Sequence, residues 1–249
     1  MLLGASNLTL GFPLVVARLR SRLPGPLEIL AALGHGRSYG RTSSVLFREL
    51  PGIDVCGLWR ALEQAEPRET VAVITDLGND IVYGYEVGEI AGWIDRSVAR
   101  LAAAGARTTI VRMPIEVVDR IGALRFLLAR GIIFPGRKID LATLRARVRE
   151  LDARVLELAR ARSLAVVDQP SAWYGLDPIH VVRSRRAQAW DAILSALGSA
   201  APGPAIELDA ADRSILRRAR PQWRRLLGRE GRCPQPSAEL LDGTTISLY

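Results

Sequence analysis

A doubly wound α/β domain is the fold class this sequence predicts, and three observations carry it. Short apolar runs alternate with helix-like stretches five times along residues 1–197. The runs are too short for buried helices, and polar or glycine-bearing clusters fall just after them. A chain built this way places its strands in a parallel sheet covered by helices on both faces, and ligands then bind outside the carboxyl ends of the strands.

The elements follow in order. Leu2 to Ala5 reads as the first strand, and LVVARLRSRL as a helix that ends at Pro24. LEILAAL is the second strand and leads into the glycine-rich GHGRSYGRTSS. TVAVITDL, β-branched and uncharged until Asp76, is the third. From Glu89 to Ala104, Ile90, Trp93, Ile94, Val98 and Leu101 recur at three- and four-residue spacing, which predicts an amphipathic helix. RTTIVRM is the fourth strand, Leu141 to Arg162 a long charged helix, LAVVD the fifth strand, and Arg185 to Leu197 a last helix. The expectation is a three-layer sheet of about five strands.

The segment APGPA, residues 201–205, is the best boundary, so residues 1–200 are read as the main domain and 201–249 as an arginine-rich extension packing on it. Within that extension an amphipathic helix from Asp209 would place Ile215, Leu216, Trp223, Leu226 and Leu227 on the main domain. The terminal TTISLY has strand character and would add to a sheet edge or a partner.

Composition narrows the function classes. The chain has 249 residues, 49% of them apolar, enough for a sizeable core. Its formal charge of +8 is almost all arginine, since Lys138 is the only lysine. Arg213, Arg217, Arg218, Arg220, Arg224, Arg225, Arg229 and Arg232 crowd one stretch in which Glu230 is the sole acid. A solvated face is favoured over a nucleic-acid or membrane surface, so nucleic acid is not an expected partner. Cys56 and Cys233 form no disulfide framework, and with only His35 and His180 there is no zinc-like spacing. The uncharged start lacks a basic region and is broken by Gly4, Asn7, Gly11 and Pro13, which argues against a signal peptide. No stretch is long enough to span a membrane, because IGALRFLLARGIIF is cut by Arg125 and Arg130. A reduced, cytoplasmic setting is the expectation.

The polar clusters at the strand ends are Ser6, the glycines at 34, 36 and 40, Gly78-Asn79-Asp80, and Asp168 followed by LDPIHVV. Acyl transfer by serine needs a hydroxyl, an imidazole to take its proton and donors aimed at the oxyanion. Asp177 and His180, three residues apart around Pro178, allow the carboxylate to orient the ring toward Ser6. Asn79 offers an amide NH2, and a glycine of the second loop offers an unshielded N–H; with the N–H of Ser6 these would hold the oxyanion.

At these residues the chain resembles the SGNH (GDSL-like) hydrolase family, a flavodoxin-like fold whose blocks occur here in order. GASN, residues 4–7, resembles the first block with Ser6 as nucleophile; Gly40 resembles the oxyanion glycine of the second, with Gly36 as the alternative; GND, residues 78–80, resembles the third and supplies Asn79; DPIH, residues 177–180, resembles the fifth and supplies Asp177 and His180. The resemblance spans residues 1–197 and leaves the extension outside. Three positions depart from the family pattern: Ala5 replaces Asp, Leu77 replaces Gly, and Val181 replaces a frequent Pro. The resemblance implies a serine esterase acting on a small acyl ester without metal or organic cofactor, or an acyltransferase using the same acyl-enzyme. An α/β-hydrolase is the weaker alternative, because its elbow needs G-x-S-x-G and Leu8 occupies the last position.

The rival is a nucleotide- or nucleic-acid-binding module, with Gly34-His35-Gly36-Arg37-Ser38-Tyr39-Gly40 as a phosphate loop and Asp54 on a ribose. His35 competes as base but has no acid three residues away. Asp168 reads as structural. Trp173 and Tyr174 either wall a substrate pocket or pack the loop on the core. The segment 116–137 is either a lid or an inserted packing segment, and the oligomeric state is left open.

Overall fold

The computed structural model describes residues 1–45, 47–123, 126, 139–198 and 207–249. In chain order the elements are β1 (Leu2–Leu3), α1 (Ser6–Arg20), β2 (Glu28–Ala32), β3 (Ser43–Val45), β4 (Arg48–Leu50), α2 (Leu58–Gln64), β5 (Val71–Ile74), α3 (Asn79–Tyr83), α4 (Val87–Ala103), β6 (Arg107–Val111), α5 (Ile115–Arg120), α6 (Leu141–Ala161), β7 (Ala165–Val167), α7 (Arg186–Ser195), α8 (Ala210–Arg218), β8 (Trp223–Leu226), β9 (Arg229–Arg232), β10 (Ala238–Glu239) and β11 (Thr245–Leu248).

All five expected strands form, and they stand in the order β2-β1-β5-β6-β7, parallel throughout. This is the flavodoxin-like order, whose switch point lies at the carboxyl end of its first strand. Alternation along each strand sends side chains to opposite layers. Leu3, Ile74 and Ile110 face a core built with α2, α4 and α6, whereas Leu2, Val73 and Val111 face α1 and α7. In the second layer Gly11 lets α1 approach α7 closely, since a Cβ there would lie 2.1 Å from the indole nitrogen of Trp190. The rigid indole has nowhere to retreat in a packed layer. Gly11→Ala is therefore expected to destabilise by about 1–3 kcal/mol, seen as a lower denaturant midpoint at unchanged slope.

The sheet has seven strands rather than five. TTISLY supplies the difference: β11 pairs in parallel with β2, and β10 closes that edge antiparallel to β11. Arg20 of α1 binds Asp212 at 2.7 Å and Asp242 at 2.6 Å, which ties the C-terminal segment to the same layer. The boundary at 201–205 lies outside the described residues.

Two expectations are corrected. Helix α1 begins at Ser6 and runs through Pro13 instead of starting after it. Pro13 removes one N–H, but burial of Leu8, Phe12, Val15 and Val16 outweighs that loss. The arginine-rich helix stops at Arg218, short of Pro221, and Trp223 to Leu226 is a strand. This strand and β9 extend the β3–β4 hairpin into a second, four-stranded antiparallel sheet. Leu216 is buried as expected, while Leu226 and Leu227 are exposed.

Candidate active site

Ser6 is the first residue of α1, directly beyond the short central strand β1. No residue at the start of α1 caps it; the cap comes from Asp76 at the end of β5. Its carboxylate accepts the N–H of Ala5 at 2.7 Å, the N–H of Leu8 at 3.2 Å and the Asn7 amide at 2.9 Å. A carboxylate at a helix N-terminus satisfies orphan donors and complements the macrodipole. Asp76 holds φ at 59°, a left-handed value that Asp tolerates better than most residues.

Asn7 carries this order to the Asp-His loop. Its amide donates to the carbonyl of Ile179 at 3.0 Å, and its side-chain oxygen accepts the N–H of Val181 at 2.9 Å. One side chain thus grips the backbone on both sides of His180. Within the loop, Asp177 and His180 meet as their spacing predicts: Nδ1 of His180 lies 2.6 Å from Asp177 Oδ2, while Asp177 Oδ1 accepts the N–H of Ile179 at 2.8 Å. Burial raises the Asp177 pKa, but the His180 ring and these N–H groups outweigh burial and hold it below the ordinary carboxylate value. Among the described residues no hydrogen bond joins Ser6 to His180. Catalytic hydrogen bonds often tighten only once substrate is bound.

Ser6, Asn79 and Asp76 stand at the polar mouth of a cavity of about 140 Å3. Its wall is apolar, built by Met113, Val118, Ile121, Phe126, Leu144 and Val148. The described part of the segment 116–137 therefore walls this cavity, and the rest lies outside the described residues. Tyr174 also lines it, its hydroxyl donating to Gln169 at 2.6 Å. Trp173 instead packs on Val181 and Ala189.

The second loop is differently organised from the expectation. Asn79 donates to the carbonyl of Arg37 at 3.2 Å, which sets its amide against this loop. The N–H of Gly40, however, donates to Ser38 Oγ at 3.1 Å, and a Cβ at Gly40 would lie 2.0 Å from the Trp93 ring. Gly40 is a packing glycine that does not line the cavity. Gly36, with φ of 60°, does not line the cavity either; its carbonyl accepts the hydroxyl of Tyr83.

The phosphate-loop alternative meets a direct obstacle. The N–H groups of Arg37, Ser38, Tyr39, Gly40 and Arg41 all donate to internal acceptors, so they are not presented to a ligand. Asp54 is buried against Arg96 at 2.6 Å and Arg100 at 3.3 Å, not at a ribose position. His35 is held below its usual pKa, by burial first and then by Arg48 and His180. Asp168 pairs with Arg112 at 2.6 Å.

Sequence reasoning passed over Asn7, Asp76 and Asp80. Asp80 is fully buried beneath the second loop, where it accepts the Ser38 hydroxyl and the N–H of Tyr39 at 2.7 Å. Burial pushes its pKa up to about 6, against the pull of those two donors. A raised folded-state pKa contributes stability that is fully present below the unfolded value of about 3.9 and is lost as pH rises through the folded one. Unfolding free energy should therefore decline between about pH 4 and 6 through this group. Asp80→Asn is expected to flatten that decline, measured by denaturant titrations across the interval.

No family model matches the chain, and no curated protein does. One solved structure superimposes with a TM-score of 0.50 at 14% identity, over 79% of this chain and 96% of its own. A psychrotrophic esterase, EstA from Pseudoalteromonas sp., in a structure inhibited by monoethylphosphonate, superimposes with a TM-score of 0.48 at 14% identity, over 79% and 95%. The first of these likenesses is one of fold.

Proposed function

We propose that this protein is a serine hydrolase of SGNH (GDSL-like) type that cleaves an ester or other acyl linkage with an apolar acyl group. The observation that carries the reading is the Asn7 clasp. It binds the residue after Ser6 to both flanks of a His180 already oriented by Asp177 at 2.6 Å.

Chemically, the Nε2 atom of His180 takes the Ser6 proton as Oγ attacks the acyl carbon. The oxyanion is held by the N–H of Ser6, the amide of Asn79 and a backbone N–H of the second loop, for which Gly36 replaces Gly40 because the Gly40 N–H is already engaged. His180 then protonates the leaving alcohol, and water attacks the acyl-enzyme with His180 again as base. Asp177 stays ionised, fixes the tautomer and offsets the imidazolium charge. Transfer to a second alcohol follows the same course with that alcohol in place of water.

The cavity supports an apolar acyl side. Among the described residues its lining carries one charged side chain, the anionic Asp76, so an anionic acyl group would be desolvated without a cationic partner.

The test is a panel of p-nitrophenyl esters from acetyl to long chains, paired with intact-mass detection of a fluorophosphonate adduct. Turnover of these uncharged esters, with the adduct on Ser6 and none on Ser6→Ala, supports the reading. A folded wild type that neither turns over nor labels, or an adduct that persists in Ser6→Ala, overturns it.

A further inference from the structure

The second sheet segregates its charge. Partners across an antiparallel ladder share a face, and neighbours along a strand alternate. Register places Arg48 opposite Leu226, Leu226 opposite Arg229, and Arg224 opposite Gly231 on one face. The other face carries Glu49, Arg225, Glu230 and Arg232, where Arg225 pairs with Glu49 at 3.0 Å and Arg232 with Glu230 at 2.9 Å. Among the described residues Arg48, Arg224 and Arg229 form no ion pair. Arg48 is held below its usual pKa by burial and then by the charge of Arg224, as expected of neighbours on one face.

Two large apolar side chains crown the end of this sheet. Phe47 is 73% exposed and Leu227 71% exposed, with Leu226 beside them at 41%. The N–H of Leu227 donates to the carbonyl of Phe47 at 2.9 Å, so Phe47 and Leu227 share one tip. Both residues hold a positive φ, 63° at Phe47 and 50° at Leu227. Leu227 and Gly228 make a two-residue turn with positive φ at both positions, a turn that favours Asn-Gly. Leucine and phenylalanine are thus kept, exposed, where the backbone prefers asparagine or glycine. Strain retained in this way points to a use for the side chains.

One end of this face packs on the domain itself, which fixes the second sheet to the glycine loop. Val45 and Leu50, on the same face by alternation, abut the glycine loop: a Cβ at Gly36 would lie 2.6 Å from Val45, and one at Gly34 2.4 Å from Leu50. Arg48 donates to the carbonyl of His35 at 3.4 Å.

We propose that this face and tip dock on an anionic lipid bilayer surface, with Phe47 and Leu227 entering the headgroup layer and Arg224 and Arg229 meeting anionic headgroups. Apolar insertion and electrostatic attraction are the two terms that hold a protein at an interface. A second copy of the chain is disfavoured, because self-pairing would bring uncompensated arginines together. A polynucleotide backbone would meet the arginines but offers no apolar layer for the tip.

The test uses the full chain as Ser6→Ala and sedimentation with vesicles of phosphatidylcholine alone or with 30% phosphatidylglycerol, roughly the anionic content at which such binding is read. Expected is binding to the anionic vesicles that weakens with salt, and at least tenfold weaker binding for Phe47→Asn/Leu227→Asn and for Arg224→Glu/Arg229→Glu. The asparagine pair suits the left-handed backbone, so its melting temperature should equal or exceed the parent's. Loss of binding then reports the lost side chains and not unfolding. The proposal is overturned by absence of binding to anionic vesicles, by equal binding of the asparagine pair, or by a dimer in sedimentation velocity that this pair dissolves. Tight duplex DNA binding without vesicle binding also overturns it. The readout does not involve hydrolysis, so failure here leaves the proposed function standing, and failure of the ester assay leaves docking standing.

Discussion

Ser6→Ala, His180→Ala and the double variant are each expected to lose ester hydrolysis by about 10³-fold or more in kcat/KM, the double variant no worse than the more impaired single one. The non-additivity is the informative part. Nucleophile and base act in one step, and once either is missing the other has nothing to do, while the oxyanion donors and the cavity still contribute. Asp177→Asn should cost less than His180→Ala. It leaves the ring in place, 2.6 Å from a neutral acceptor, but removes the charge that offsets the imidazolium. The pair is only partly buried, which screens that charge. Among the described residues Ser6 Oγ takes part in no hydrogen bond, so Ser6→Ala should keep the parental melting temperature. Multiplicative losses in the double variant would mean that Ser6 and His180 do not act as a unit, and the triad assignment would fall.

Asp76→Ala is expected to produce the largest combined effect on stability and activity. The substitution strips the acceptor from two N–H groups at the start of α1 and from the Asn7 amide, all part-buried. Leaving a buried donor without its partner costs about 1–3 kcal/mol, and alanine at φ of 59° adds about 1 kcal/mol of backbone strain. A total loss of roughly 3–5 kcal/mol in unfolding free energy follows from these terms. Since Asn7 then loses one of its anchors, the Ile179–Val181 backbone is released and kcat should drop with KM nearly unchanged. Asp76→Asn separates the contributions. It tolerates the left-handed backbone and can still accept from one N–H, so it should recover part of the stability while its own NH2 opposes the Asn7 amide. Denaturant midpoints and kcat/KM for the two variants, measured together, check this; equal stability of Asp76→Ala and wild type would remove Asp76 from its positioning role.

Much of the architecture was legible because each parallel strand is short, apolar and followed by a polar cluster. Burial on both faces imposes that pattern on a covered sheet. Ser6, Asn79, Asp177 and His180 could be picked out as candidates for a related reason: strand ends in such a sheet open on one rim, and a residue type that suits chemistry stands out there against an apolar background. The Asp177–His180 contact needs only local geometry, three residues and a proline-bearing turn, so spacing alone anticipated it.

What the sequence left undecided depends on partners far away along the chain. Helix α1 starts before Pro13 because Asp76, some seventy residues on, caps it from another strand end. Trp223 to Leu226 forms a strand because the β3–β4 hairpin offers an edge, and helical spacing of its apolar residues carried no information about that edge. That the Gly40 N–H is engaged depends on the Ser38 hydroxyl, and its tight packing on the Trp93 ring, neither of which a glycine pattern reveals. Periodicity and local spacing were therefore enough for the parallel strands, most of the helices and the Asp-His pair. Hydrogen-bond partners at long range, which only the folded chain brings within about 3 Å, decided where α1 begins, which side chains hold the loop around His180, and how the C-terminal strands extend both sheets.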